Sequence, residues 1–194
     1  MITRHNAVCL AILAGIAVSV APLSAANRAR RLIVPGKSIG NIGLRTYPHG
    51  LPLGKPYASD AGMSHYHSVW IARRREGRRV VTDTTTVASV SNAALTGGPG
   101  EAVQCIRVTS PYFRTSWGLS TGSTLARIRT FERGLKPADG QPSVLEAAKS
   151  GIAFEFARPD PTPRSRCIAI SVFRPGSPVI MDRTQVADLL KSRS

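Results

Sequence analysis

Three short strings in this chain hold residue types that can do covalent chemistry. "GLSTG" (Gly118 to Gly122) fits G-x-S-x-G, the strand-to-helix elbow that presents a serine hydroxyl, here Ser120, for attack. That serine needs an imidazole after the acid in chain order, and no histidine follows His67. Cys105, in "QCIRV", is a second nucleophile candidate; a reactive thiolate needs a neighbouring imidazole to lower its pKa. His65 and His67, in "HYH", would share one face of a strand and could hold a metal. Asp60 and Asp83 are available, but no third ligand is signalled. "GLSTGST" and "GLPLGKP" have glycines of the phosphate-loop kind without the correctly placed lysine and hydroxyl residue. No catalytic residue, metal or cofactor is assigned on these patterns.

Non-covalent recognition is the other chemistry on offer. The chain has 26 Lys and Arg against 11 Asp and Glu, a formal charge of +15. A field of that sign favours anionic partners. The basic residues are scattered except for Arg73, Arg74, Arg75, Arg78 and Arg79, which surround Gly77 between two strand-like runs. That cluster is a candidate anion patch, or a solvated hairpin tip. Tyr66 and Trp70 alternate onto one side of the first of those runs. With Arg107 they would make an aromatic and basic binding surface if that side is open; otherwise Trp70 packs into the core. The expected partner is an unknown protein or an anionic component of the cell envelope. Nucleic acid is not the expected partner. Arginine so outnumbers lysine that a GC-rich genome alone could supply the basic charge.

The beginning of the chain says where it goes. Arg4, an apolar run from about Ala7 to Ala21, and Ser24-Ala25-Ala26 read as a cleavable export signal over residues 1–26. The apolar run is short for a membrane span, so no span is expected after cleavage. The expected location is the periplasm or outside the cell. Residues 27–194 then form one domain, large enough for a real core. Cys9 leaves with the signal. Cys105 and Cys167 remain, which suggests one disulfide against the alternative of two buried thiols.

The elements that must position these residues follow from patterning. "HYHSVWIAR" and "RVVTDTTTV" read as a hairpin turning at Gly77, and "AVQCIRVTS" as a third strand. Gly118 and Gly122 permit a turn, and Ser123 is placed to cap a short helix over about Thr124 to Arg133, with Leu125 and Ile128 inward. "SVLEAAKS" is ambiguous between helix and strand. "GIAFEFAR" and "RCIAISVF" alternate as strands, and a helix over about 182–192 closes the chain. "IGLRT" (Ile42 to Thr46) matches "LSTGS" (Leu119 to Ser123), and "VQCIRVTSP" matches "RCIAISVFRP". These matches define half-units of about 34–110 and 111–175 and put Cys105 and Cys167 at matching places in third strands.

"RTSWGLSTGSTLARIR", "GIAFEF" and "CIAISV" together resemble a group of exported bacterial proteins with an "RT-x-x-G-[IL]-x-x-G-S" entry. "VPGKSIGNIGL…LGKP" resembles their companion "PG-x-x-[IV]-G-x-I-x-L-G…LG-x-P" pattern, with Arg45 where the pattern has glycine and Pro48 and Pro52 interrupting the first helix. The resemblance implies the fold of the beta-lactamase-inhibitory protein and the small outer-membrane assembly lipoprotein. The fold expected is α+β: an antiparallel sheet of about six strands, short helices on one face, two degenerate repeats. Members mostly bind proteins, so the resemblance implies an exported non-catalytic binding or structural module. In the competing class, "CIRV" resembles the end of the "S-x-G-C-[IR]-R" motif of L,D-transpeptidases, although Val103-Gln104 replaces its small lead-in. That reading would make the chain a cell-wall-acting cysteine or serine enzyme using Cys105 or Ser120.

Overall fold

A computed structural model describes residues 30–46, 51–61, 65–91, 101–177, 179 and 183–191. The expected leader over 1–26 lies outside the described residues.

Among the described residues twelve strands stand against two short helices, which overturns the α+β expectation. The first strands are very short: β1 (Leu32–Val34), β2 (Ser38–Ile39) and β3 (Ile42–Gly43). A meander follows, of β4 (Ala58–Ala61), β5 (His65–Glu76), β6 (Arg79–Ser91) and β7 (Glu101–Val108). After β8 (Arg114–Thr115) and helix α1 (Leu125–Phe131) comes a second meander. It consists of β9 (Lys136–Ala138), β10 (Gln141–Ala147), β11 (Ile152–Phe156) and β12 (Cys167–Phe173). Helix α2 (Arg183–Lys191) is the last described element.

The two meanders join through β7 and β12 into one eight-stranded sheet, order β4-β5-β6-β7-β12-β11-β10-β9, instead of the roughly six strands expected. A second sheet, order β3-β2-β1-β8, was not anticipated. The helices do not share a face either. Leu125 and Ile128 of α1 join the main core with Val87, Ile106, Phe154, Ile170 and Val172. Val186 of α2 packs on Val69, whose register partner Thr86 lies on the opposite side from Val87. Alternation therefore puts α1 and α2 on opposite faces of the large sheet.

The small sheet acts as a lid on the main core. Ile33, Ile39 and Ile42 are at most 3% exposed and meet Leu119, Leu125 and the Ile106–Val172 face. Each such side chain, fully buried, contributes about 1.5–3 kcal/mol. Thr124, not Ser123, caps α1: its hydroxyl accepts from the Arg127 N–H at 3.3 Å. The Ser123 hydroxyl accepts instead from the Ser120 N–H at 3.1 Å.

The meanders share a distortion. Between β6 and β7 the register slips so that Ala88 opposes Cys105 but Ser89 opposes Val103, leaving Gln104 as a bulge residue. Between β11 and β12 Glu155 opposes Ala169 but Phe156 opposes Cys167, leaving Ile168 as the bulge. Each bulge turns the preceding residue, Val103 or Cys167, into the main core. Each of these residues is then gripped by a turn. Arg45 N–H donates to the Val103 carbonyl and Val103 N–H to the Thr46 carbonyl; Gly122 N–H donates to the Cys167 carbonyl and Cys167 N–H to the Ser123 carbonyl.

Val103 and Cys167 are thus the counterparts, two residues out of step with the match read from sequence. Cys105 stands opposite Phe173, at the far end of β12 from Cys167. Six strand residues span about 20 Å, whereas a disulfide needs Cα atoms about 4.4–6.8 Å apart. The two cysteines are not bonded to each other, and each is at most 2% exposed.

Candidate anion-binding cleft

The sequence-derived candidates are not gathered into one site. Ser120 is half-buried and its hydroxyl donates to the Thr121 carbonyl at 3.2 Å. The Cys167 thiol donates to the Ala169 carbonyl at 2.9 Å. Burial pushes that thiol up to about 12, well above the thiolate range needed for attack. Cys105 is fully buried among Ala88, Ala153 and Phe173. His67 is half-buried in β5. Among the described residues no group of three His, Cys, Asp or Glu side chains converges.

The expected aromatic and basic surface is not assembled. Trp70 packs partly into the main core, and its indole N–H donates to the Gly54 carbonyl at 3.0 Å. Tyr66 lies on the same side by alternation and is half-buried. Arg107 lies on the opposite face, only 3% exposed, with Nε 2.9 Å and Nη2 2.8 Å from Glu155 Oε2. That ion pair spans β12 from β7 to β11.

The arginine cluster is a protruding arm. β7 pairs with β6 no further than Thr85, and β4 with β5 no further than Val69, so the rest of the hairpin projects as two strands. Arg74 is occupied: its guanidinium bonds Glu76 and lies 2.6 Å from Asp83, and these partners raise its pKa. Arg73, Arg75, Arg78 and Arg79 are exposed.

The site that chain topology does assemble lies where the small sheet meets the end of β12. A cleft of ≈270 Å³ is lined there by Lys37, Arg45, Gln104 and Arg174, with Gly36, Leu44, Val103 and Pro175 completing the walls. Three of its lining side chains are cationic, none is acidic, and Gln104 adds an amide. Each contributor is held by its backbone. Leu44 N–H donates to the Lys37 carbonyl at 2.7 Å, and Arg45 N–H to the Val103 carbonyl at 2.8 Å. Gln104 is the bulge residue of β7, which frees it from the ladder. Arg174 and Pro175 leave β12 over a close contact: Gly36 N–H donates to the Gly151 carbonyl at 3.1 Å, and Phe173 N–H to the same oxygen at 3.0 Å. A Cβ on Gly151 would meet the Phe173 carbonyl at 2.3 Å, and one on Gly36 would meet Pro175 at 2.6 Å. Only glycine permits this approach, and the approach positions the Arg174 wall.

Arg45 is the unusual member. Its φ is +67°, one of two non-glycine residues at positive φ among those described. Two arginines and a lysine lining one cleft suit a carboxylate or phosphate. Sequence reasoning noted Arg45 at a glycine position but did not connect it with Lys37, Gln104 and Arg174.

No family model matches this chain, and no curated protein matches it. Among solved structures it is similar to the uncharacterized protein yfeY from Escherichia coli. The likeness has a TM-score of 0.34 and 16% identity, and covers 55% of this chain and 81% of that one. No helix of the described residues is long and apolar enough to cross a membrane.

Proposed function

We propose that this chain is an exported, non-catalytic binding module that captures a carboxylate or phosphate group of an envelope component. The observation that carries the reading is the cleft lined by Lys37, Arg45 and Arg174 with no acidic residue in the lining. The leader read in residues 1–26 supports the location. The formal charge of +15 supports the sign of the partner. The Ser120 hydroxyl on Thr121 and the full burial of Cys105 weigh against a serine or cysteine enzyme.

Titration of the protein with polyphosphate at several salt concentrations tests the reading. Affinity falls steeply with salt, and Lys37→Glu or Arg174→Glu each weakens it about tenfold or more. Salt-independent binding, or binding that both variants leave intact, removes the cleft from the account.

A further inference from the structure

A second surface lies away from the cleft, on the β5–β6 arm. β4 covers β5 only from Tyr66 to Val69, and the Tyr57 N–H reaches the Val69 carbonyl at 2.8 Å. β5 continues to Glu76, paired on its other side with β6 throughout. Among the described residues, Trp70 to Glu76 therefore has one strand edge without a neighbour. Backbone groups along a strand point alternately to its two edges. The Val69 carbonyl points toward β4, so the N–H and C=O groups of Ile71, Arg73 and Arg75 point outward.

A recess adjoins the start of this edge. Leu53, Lys55, Tyr57, Trp70 and Ala72 line a shallow cleft of ≈410 Å³. Tyr57 is 44% exposed, and the indole of Trp70 is fixed to the Gly54 carbonyl. An open strand edge beside a side-chain recess is the pairing that strand addition uses: main-chain hydrogen bonds supply affinity and the recess supplies selectivity.

Charge selects the occupant. Arg73 and Arg75 flank the edge and Arg78 stands at the tip, all exposed. Two copies meeting edge to edge would set arginine against arginine, which disfavours self-pairing. An acidic strand meets the opposite charge at Arg73 and Arg75. We propose that the open β5 edge takes an extended, acidic segment of a partner protein by strand addition, with one apolar side chain seated between Tyr57 and Trp70.

The probe is a blocked peptide of alternating glutamate and threonine with a central leucine. At saturation, amide exchange at Ile71, Arg73 and Arg75 slows about tenfold, while the amides facing β6 are unchanged. Arg73→Pro removes one outward N–H without touching the β5–β6 ladder and weakens binding about tenfold, against about threefold for Arg73→Ala. Circular dichroism of Arg73→Pro verifies folding, and the exchange measurement on the unaltered chain does not depend on that variant. Lys37→Glu leaves peptide binding unchanged, so this surface and the cleft are tested separately. Equal affinity for a proline-interrupted peptide of the same charge, or unprotected outward amides, overturns the proposal. Protection of the same amides by raising protein concentration alone also overturns it, in favour of a second copy.

Discussion

Arg45 and Gly122 are structural counterparts. Each sits at positive φ, +67° and +87°. Each donates its N–H to the carbonyl of the core residue before a strand bulge, Val103 at 2.8 Å and Cys167 at 2.7 Å. Glycine takes this conformation freely, whereas arginine holds it at a cost on the order of 1 kcal/mol. The two turns then diverge. The Gly122 carbonyl is covered by Arg166, whose Nη1 donates to it at 3.0 Å. The turn at Arg45 instead lines the cationic cleft.

The glycines divide into those the fold needs for space and those it needs only for conformation. Gly151→Ala drives a Cβ to 2.3 Å from the Phe173 carbonyl and 2.8 Å from the Gly36 Cα at φ +70°, so the turn before β11 must draw away from β12 and from Gly36. The expected loss is about 3 kcal/mol or more, read as a lower urea midpoint. Gly122→Ala meets nothing within 4 Å and costs only the conformational strain, on the order of 1 kcal/mol. Equal losses would contradict the close-approach argument.

Cys105 and Cys167 behave as separate structural thiols. With its thiol held up to about 12 by burial, Cys167 is protonated at pH values where alkylating reagents work. Both thiols stay unlabelled by iodoacetamide in the native protein and react once guanidinium unfolds it. Mass spectrometry of air-oxidised protein finds no Cys105–Cys167 bond; a quantitative bond there would contradict the β7–β12 register.

Much of the large sheet was legible. The runs either side of Gly77 are long and β-rich, and "GIAFEF" and "CIAISV" alternate cleanly. The small sheet was not, because strands of two or three residues such as Ser38–Ile39 carry no period. Gln141–Ala147 holds helix formers yet is a strand, because pairing with β11 outweighs local propensity. The repeat was aligned on its two cysteines, two residues out of step with the true counterparts Val103 and Cys167, because the bulges that mark those counterparts leave no periodic signal. Arg107 was read onto an open face, but that face is closed there and Glu155 satisfies its charge. The cleft residues come from three separate parts of the chain, and only Arg45 at a glycine position hinted at them.

The Arg107–Glu155 pair is costly to break and cheap to replace. Arg107→Ala leaves Glu155 buried and unpaired, an expected loss of about 3–5 kcal/mol by urea denaturation. Replacing both with leucine restores most of that stability, since nothing charged remains buried. A double variant as unstable as the single one would contradict this.

Glu132 gives the protein a pH-dependent term. It ends α1 and is 6% exposed; burial raises its pKa, and the Ser150 hydroxyl, donating at 3.2 Å, lowers it in part. The folded state therefore binds this proton more tightly than the unfolded one. Its contribution is fully present below the ordinary glutamate pKa of 4.5 and is lost as pH rises through the raised value. Urea midpoints from about pH 4 to about pH 8 fall less steeply in Glu132→Gln than in the unaltered chain. Identical slopes would remove Glu132 as the cause.

The most direct measurement is made on Arg45→Gly, following thermal stability and phosphate affinity together. Opposite movements are expected: stability unchanged or raised by up to about 1 kcal/mol as the strain is released, and affinity for inorganic phosphate lowered about tenfold or more as one guanidinium leaves the cleft. A variant that binds phosphate as well as the unaltered chain would contradict the claim that Arg45 is held at positive φ to serve the cleft.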